Sequence, residues 1–270
     1  MVFASDLDQT LIYSENFLDK YHSNAEYLKE NKISIIEYYK GAPLTYIHNQ
    51  IVSPLQQLDS MNKFVPVTTR TEEQYRRIDF NKYGINPCYA ITTNGAKVLK
   101  NGVIDLEWKQ KTHAILSSLT TKPADIAQMV PGFISSDAIK TIRTAEDSFC
   151  YCVLHMENLD KDEVQKLKSE LNPEEWKISL QGRKLYFVPA VISKWLAIEY
   201  VCDKIGDSQI ISAGDSLLDL PMLINSDLGL VPGHGEIASQ KLYDKYNLSC
   251  NEIEGVDASV AILDEVIRDI

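Results

Sequence analysis

Met1-Val2-Phe3-Ala4-Ser5-Asp6-Leu7-Asp8-Gln9-Thr10-Leu11 is the stretch whose reading decides the fold. Its short apolar run reads as a buried strand. The run ends in two carboxylates one residue apart, with Thr10 just beyond. In a mostly parallel sheet the ligand crevice lies outside the carboxyl ends of the strands, and Asp6 and Asp8 fall there. Two anions crowded into a crevice are costly unless a cation or a reacting phosphate uses them. Taken alone, the stretch also describes a strand leaving into an acidic surface turn. Three further segments weigh against that plainer reading.

The first is Phe64-Val65-Pro66-Val67, a second buried-strand pattern that runs into Thr68-Thr69-Arg70-Thr71-Glu72-Glu73. A hydroxyl at such a strand end can bind a phosphate oxygen, or it can simply cap the helix that Thr71 begins. The second is Ser193-Lys194-Trp195, which starts a helix reaching to about Lys204. A Lys there is poorly placed for the helix dipole, and its plain reading when taken alone is a solvated side chain. The third is Gln209-Ile210-Ile211-Ser212-Ala213-Gly214-Asp215-Ser216-Leu217-Leu218-Asp219. Gly214 permits a tight exit from the strand. Asp215 and Asp219, four apart, can face one way, or can serve as helix caps.

Between these junctions, residues 15–30 have helical character, and residues 33–50 read as a hairpin turning at Lys40-Gly41-Ala42-Pro43. Pro54 is expected to open a short amphipathic helix through Met61. Tyr89-Ala90-Ile91-Thr92-Thr93 reads as a third strand closed by an Asn94-Gly95 turn. From Asn101-Gly102 to about Leu185 helical pieces (113–120, 161–171) alternate with strands (149–155, 176–180, 184–188), a separate α+β layer. Leu228-Gly229-Leu230-Val231 resembles one more strand, and residues 258–267 a terminal amphipathic helix. The expected architecture is α/β. A Rossmann-like doubly wound parallel sheet core (residues 1–98 and 188–270) is interrupted by an inserted α+β cap domain (residues 99–187).

Bulk composition narrows the partners. A net charge of −11 over 270 residues argues against nucleic acid. No apolar run approaches the roughly 18 residues of a membrane span. A strand beginning at Met1 leaves no room for a signal peptide, so a cytoplasmic location is expected. The five cysteines (Cys88, Cys150, Cys152, Cys202, Cys250) are odd in number and scattered, without zinc-like clustering. Cys150 and Cys152 share one face of a strand and are expected to pack. Oligomeric state is not written in any of these features.

In order, the segments resemble the haloacid dehalogenase-like phosphatases. Asp6-Leu7-Asp8-Gln9-Thr10 looks like their D-x-D-x-T signature, and Thr68-Thr69-Arg70 like their Thr-Gly-Arg motif. Ile91-Thr92-Thr93-Asn94-Gly95-Ala96 resembles the N-G-A turn leading into the type C2 cap of the Cof-like and sucrose-phosphatase-like branch. Leu185-Tyr186-Phe187-Val188 followed by Val191-Ile192-Ser193-Lys194 resembles the return strand and its lysine. Gly214-Asp215-Ser216-Leu217-Leu218-Asp219-Leu220-Pro221-Met222-Leu223 resembles the G-D-x-x-N-D-x-x-M-L motif. Three departures stand out: Gln9 and Thr69 where the family has Gly, and Leu218 where it has Asn.

The resemblance implies hydrolysis of a small phosphorylated metabolite, often a sugar phosphate, through an aspartyl-phosphate. Asp6 would be the nucleophile and Asp8 the general acid and then base. Thr68, Thr69, Arg70, Asn94 and Gly95 would contact the substrate, and Lys194 would offset negative charge. Mg²⁺ would be held by Asp6, Asp8 (through its carbonyl) and Asp215, with Asp219 on the ion or one step behind it. Arg143, His155, Arg183 and Lys184 lie in the insert, where surface solvation is favoured over substrate contact as the reading of each. The competing reading is a phospho-acceptor signalling module or a binding protein on the same fold. A receiver domain, however, needs neither a large insert nor a second acid two residues after the first.

Overall fold

Val2–Ser5 is buried along its whole length because it lies inside a five-stranded parallel sheet. Phe64–Pro66 flanks it on one side and Ile210–Ala213 on the other, with Leu228–Val231 and then Ser249–Cys250 beyond. Strands covered on both faces need no polar alternation, which is why Val-Phe-Ala-Ser carries no charge. Phe3, Phe64, Ile211 and Leu230 share a core with Leu55 and Leu58 of the helix Asn49–Ser60 and Ile262 and Val266 of the helix Ala258–Arg268. The helix Leu220–Asn225 packs on Ile210–Ala213 and Leu228–Val231, and Lys194–Ile205 packs on Leu220–Asn225 in turn. This is the doubly wound α/β arrangement that the strand patterns predict. The computed structural model describes residues 1–268, with Gln181 described by its backbone alone.

The chain divides into two compact units. One comprises Met1–Asp105 together with the chain from Lys194 on; the other is Leu106–Ser193. The sequence reading puts the insert at 99–187. The strand Lys97–Lys100, which lies between Tyr89–Thr92 and Val103–Ile104 and pairs with both, goes with the first unit together with Val103–Ile104. The second unit has its own four-stranded antiparallel sheet, ordered Trp176–Gln181, Lys184–Pro189, Phe149–Leu154, Ile139–Ala145. Cys150 and Cys152 face the core of that unit with Leu185 and Phe187, and all five cysteines are free. Burial pushes the Cys152 thiol up to about 12, so both are packing residues and not reactive thiols.

Several local expectations are corrected. The helical stretch 15–30 is two short helices, Glu15–Leu18 and Asn24–Lys29. Asp19 accepts from the Asn24 N–H at 2.9 Å and Ser23 caps the second helix, so the chain restarts there. Pro54 does not open its helix, which runs Asn49–Ser60 and is capped by His48, whose Nδ1 accepts from the Gln50 N–H at 3.1 Å. The strand Ile139–Ala145 escapes sequence reading because it is an edge strand with few buried side chains. The hairpin is as expected, Ile33–Tyr39 with Ala42–His48, and it adds to Ile12–Ser14 as a small antiparallel sheet. No helix among the described residues is long and apolar enough to cross a membrane.

Candidate active site

Asp6 follows directly on Val2–Ser5, and its N–H donates to the Ala213 carbonyl at 2.8 Å. Thr68 follows Phe64–Pro66, and Asp215 follows Ile210–Ala213. These residues therefore lie at the carboxyl ends of three adjacent parallel strands, where a doubly wound sheet places its ligand crevice. Asp219 precedes the helix Leu220–Asn225, and Lys194 is the first residue of Lys194–Ile205.

Lys194 is not solvated; it is 1% exposed. Its Nζ donates to Asp6 Oδ1 and to Asp219 Oδ1, each at 2.5 Å. Burial works against the ammonium, but Asp219 and Asp6 outweigh it and hold it charged far above the usual range. Burial, with help from Asp219 and Asp8, raises the Asp6 carboxyl to about 7 despite the Lys194 charge. Asp215 is raised well above the carboxylate range, again by burial first and then by Asp219 and Asp6.

Asp6, Asp215 and Asp219 each offer an oxygen within 4.8 Å of the others, and all three are buried. Against one ammonium, three carboxylates leave two negative charges unmatched, the charge of one divalent cation. Hard oxygen donors of this kind suit Mg²⁺. Asp219 is the most committed of the three. One oxygen accepts from Lys194 and the other from the Ser216 N–H at 2.9 Å and the Ser216 hydroxyl at 2.7 Å.

Two glycines make room for the acids. A Cβ on Gly214 would lie 2.5 Å from Asp219 Cβ, and one on Gly235 would lie 2.7 Å from Asp215 Oδ2. Gly235, like Ser216 at its hydrogen bonds, is a site component that sequence reading missed. Its only signal was a glycine in a loop after the fourth strand.

The phosphate-contact candidates separate into groups. Thr68 is fully buried; its Oγ1 accepts from the Arg70 N–H at 3.1 Å, which leaves its own O–H to donate. The Asn94 N–H donates to the Thr68 carbonyl at 3.0 Å and the Thr93 N–H to the Arg70 carbonyl at 2.7 Å, so the two loops are tied together. Thr93, Asn94 and Gly95 all have left-handed backbones, with φ of 54°, 56° and 97°. The buried Asn94 Oδ1 has no hydrogen-bond partner among the described residues.

Thr69 is half-exposed and its backbone lies outside the left-handed region, so replacing Gly costs nothing there. Arg70 turns its fork on the second acid: Nε and Nη2 donate to Asp8 Oδ2 and Oδ1 at 2.8 and 2.7 Å. Its Nη1 donates to Glu37 at 2.7 Å, and Glu37 is a buried acid that sequence reading missed. In the second unit Arg143, Arg183 and Lys184 are exposed and His155 is half-buried beside Glu157.

Gln9 is the departure with a physical cost. Its φ is 65°, a conformation that favours Gly. His234 holds the strained loop. Its Nδ1 accepts from the Gly255 N–H at 3.2 Å, so its Nε2–H donates to the Gln9 carbonyl at 2.7 Å. The Gln9 side chain is exposed. Gln9→Gly is therefore expected to stabilise the protein by about 0.5–1 kcal/mol, read as a higher denaturant midpoint. A lowered midpoint would show that the side chain contributes what the backbone loses.

A family model described as haloacid dehalogenase-like hydrolase matches residues 131–257. No curated protein matches the chain in sequence. Among solved structures it is similar to the sucrose-phosphatase from Synechocystis sp. PCC6803, in complex with sucrose and phosphate. The two are 16% identical, with a TM-score of 0.63 over 99% of this chain and 97% of that one. It is also similar to a HAD/Cof-like hydrolase from Plasmodium vivax (13% identical, TM-score 0.61, covering 99% and 95%). A HAD subclass IIB sugar phosphatase gives a TM-score of 0.61 at 10% identity, over 99% of this chain and 98% of that one. At such identities the likeness is one of fold. The acids and the lysine fall at the strand ends and helix start where the motif order puts them, and the match to the haloacid dehalogenase-like hydrolase model runs through Lys194, Asp215 and Asp219.

Proposed function

We propose that the chain is a Mg²⁺-dependent phosphatase acting on a small phosphorylated metabolite, with a sugar phosphate as the favoured class. The observation that carries this reading is the buried set of Asp6, Asp215 and Asp219 around Lys194, with two negative charges left for a divalent ion. The sugar-phosphate class rests on the names of the structural neighbours, one a sucrose-phosphatase and one a sugar phosphatase.

A phosphate monoester repels nucleophiles, so the site has to neutralise charge and hold the attacking oxygen in line. Mg²⁺, held by Asp6, Asp215 and the Asp8 carbonyl, would supply positive charge against the phosphate oxygens. Asp219, with both oxygens already accepting hydrogen bonds, holds Lys194 in place.

Asp6 attacks phosphorus, and the bond from phosphorus to the leaving oxygen breaks as Asp8 gives that oxygen a proton. Water then attacks the phosphorus of the aspartyl-phosphate, its proton passes to Asp8, and Asp6 is freed. Thr68 donates its O–H to a phosphate oxygen, beside Thr69 and the Asn94-Gly95 turn. Lys194 keeps the Asp6 carboxylate oriented. The insert, near residues 99–193, is assigned to leaving-group recognition. Five unpaired cysteines support a cytoplasmic setting.

The test is hydrolysis of 4-nitrophenyl phosphate by the purified protein, followed by a panel of sugar phosphates. Removing metal by exhaustive chelation is expected to lower turnover by more than about a hundredfold, with Mg²⁺ restoring it. Equal turnover in chelator would overturn the metal assignment, and no turnover on any phosphate ester would overturn the activity.

A further inference from the structure

Glu37 belongs to no part of the mechanism above, yet it is a wholly buried carboxylate on the Ile33–Tyr39 strand. The register of that strand with Ala42–His48 shifts between Ile35 and Glu37, where Ile36 is the extra residue. A bulge of this kind breaks the in–out alternation and re-aims the next side chain. Ile36 and Glu37, neighbours in sequence, are accordingly both buried.

Three donors converge on Glu37. Arg70 Nη1 and the Thr45 hydroxyl reach Oε2 at 2.7 and 3.0 Å, and Arg77 Nε reaches Oε1 at 3.0 Å. A buried acid with two guanidinium partners is expensive to assemble and carries geometric information once assembled. Here that information ends at Asp8. The remaining donors of the Arg70 fork, Nε and Nη2, take both Asp8 oxygens in a bidentate pair. Asp8 has a side chain 45% exposed, whereas that of Arg70 is 11% exposed and that of Glu37 is 0% exposed. The rigid end of the chain of contacts is therefore Glu37, and the exposed end is the acid.

We infer that Glu37, acting through Arg70, is a positioning residue for Asp8: it fixes the plane in which the carboxyl meets the leaving oxygen. This rests on the phosphatase reading. It gives the 33–48 hairpin a part in catalysis through Glu37 and Thr45. Bidentate Arg–carboxylate pairs fix orientation as well as distance, so a loosened Arg70 delivers the proton from the wrong place.

The experiment compares kcat/KM for a series of aryl phosphates, from 4-nitrophenyl to 4-methoxyphenyl, in wild type, Glu37→Gln and Thr45→Val. This parameter covers the steps through departure of the leaving group. Proton donation matters little to 4-nitrophenolate and much to the more basic phenolates. Glu37→Gln is expected to lose about tenfold or more on 4-methoxyphenyl phosphate and less than about threefold on 4-nitrophenyl phosphate. Thr45→Val, which removes only the hydroxyl at 3.0 Å from Oε2, should move the same way by less. It keeps the test alive if Glu37→Gln does not fold.

In an Asp8→Asn background the selective loss should vanish, because there is no proton left to misplace. Equal losses across the series would mark a purely structural role and overturn the inference, as would wild-type behaviour of both variants. A wild type inactive on the whole series overturns the phosphatase reading, and the positioning role falls with it.

Discussion

Asp6→Asn is expected to abolish turnover, by at least about 10⁴-fold in kcat, while raising the thermal midpoint of the metal-free protein. The two halves of this result have one cause. A nucleophilic Asp6 would have to be an anion to attack phosphorus, yet it is buried beside Asp219 and near Asp8. Asn keeps an oxygen to accept from Lys194 and removes one charge from a set in which acids outnumber cations. The midpoint should rise by several degrees in chelator at pH 8, since 1 kcal/mol moves Tm by roughly 2–4 °C in a chain of this size. A variant that is inactive and also less stable would show that the Asp6–Lys194 pair holds the fold together. One that retains turnover would remove Asp6 as the nucleophile.

The same charge imbalance fixes how stability depends on pH. With a native carboxyl near 7 against an ordinary 3.8, Asp6 keeps a proton in the folded chain that the unfolded chain has already released. Its contribution is therefore most favourable below about pH 4, is lost as pH rises through about 7, and is flat above. A gap of this size corresponds to about 4 kcal/mol at most, and Asp215, raised in the same direction, adds to it. In chelator, wild type minus Asp6→Asn unfolding free energies should fall between pH 4 and 7. Mg²⁺ should stabilise wild type far more at pH 8 than at pH 5, because the ion matches the charge that protons otherwise cancel. A difference curve that is level across that range, or a Mg²⁺ effect independent of pH, would show that the acids are not under this strain.

Much of this site was legible because the chemistry sits where chain order can be read. Apolar runs ending in Asp6, Thr68 and Asp215 are strand ends, and in a parallel sheet strand ends converge. Lys194 could be suspected from its awkward place at a helix start, but only the fold supplies the acids that make the place tolerable. Arg70 shows the limit. Its residue type pointed to an anion, and the anions it meets are protein carboxylates from two other segments. Glu37 was hidden by a bulge, a register feature that no count of alternating residues reveals. Gly235 was hidden too, because the acid it accommodates lies twenty residues earlier in the chain.

The place of Val2–Ser5 between Phe64–Pro66 and Ile210–Ala213 bears on how the molecule is made. Synthesis delivers this central strand first and one of its two partners about 200 residues later. At the usual 5–20 residues per second, the nascent chain carries an open hydrophobic edge for roughly 10–40 s. Leu106–Ser193, contiguous and closed around its own core, emerges whole during that interval. Lys194 is the first residue after it, so Asp6 meets its counter-charge only once that unit has been made. A product truncated anywhere before Ile210 therefore keeps Asp6 but lacks the neighbouring strand Ile210–Ala213 and the two other clustered acids, Asp215 and Asp219.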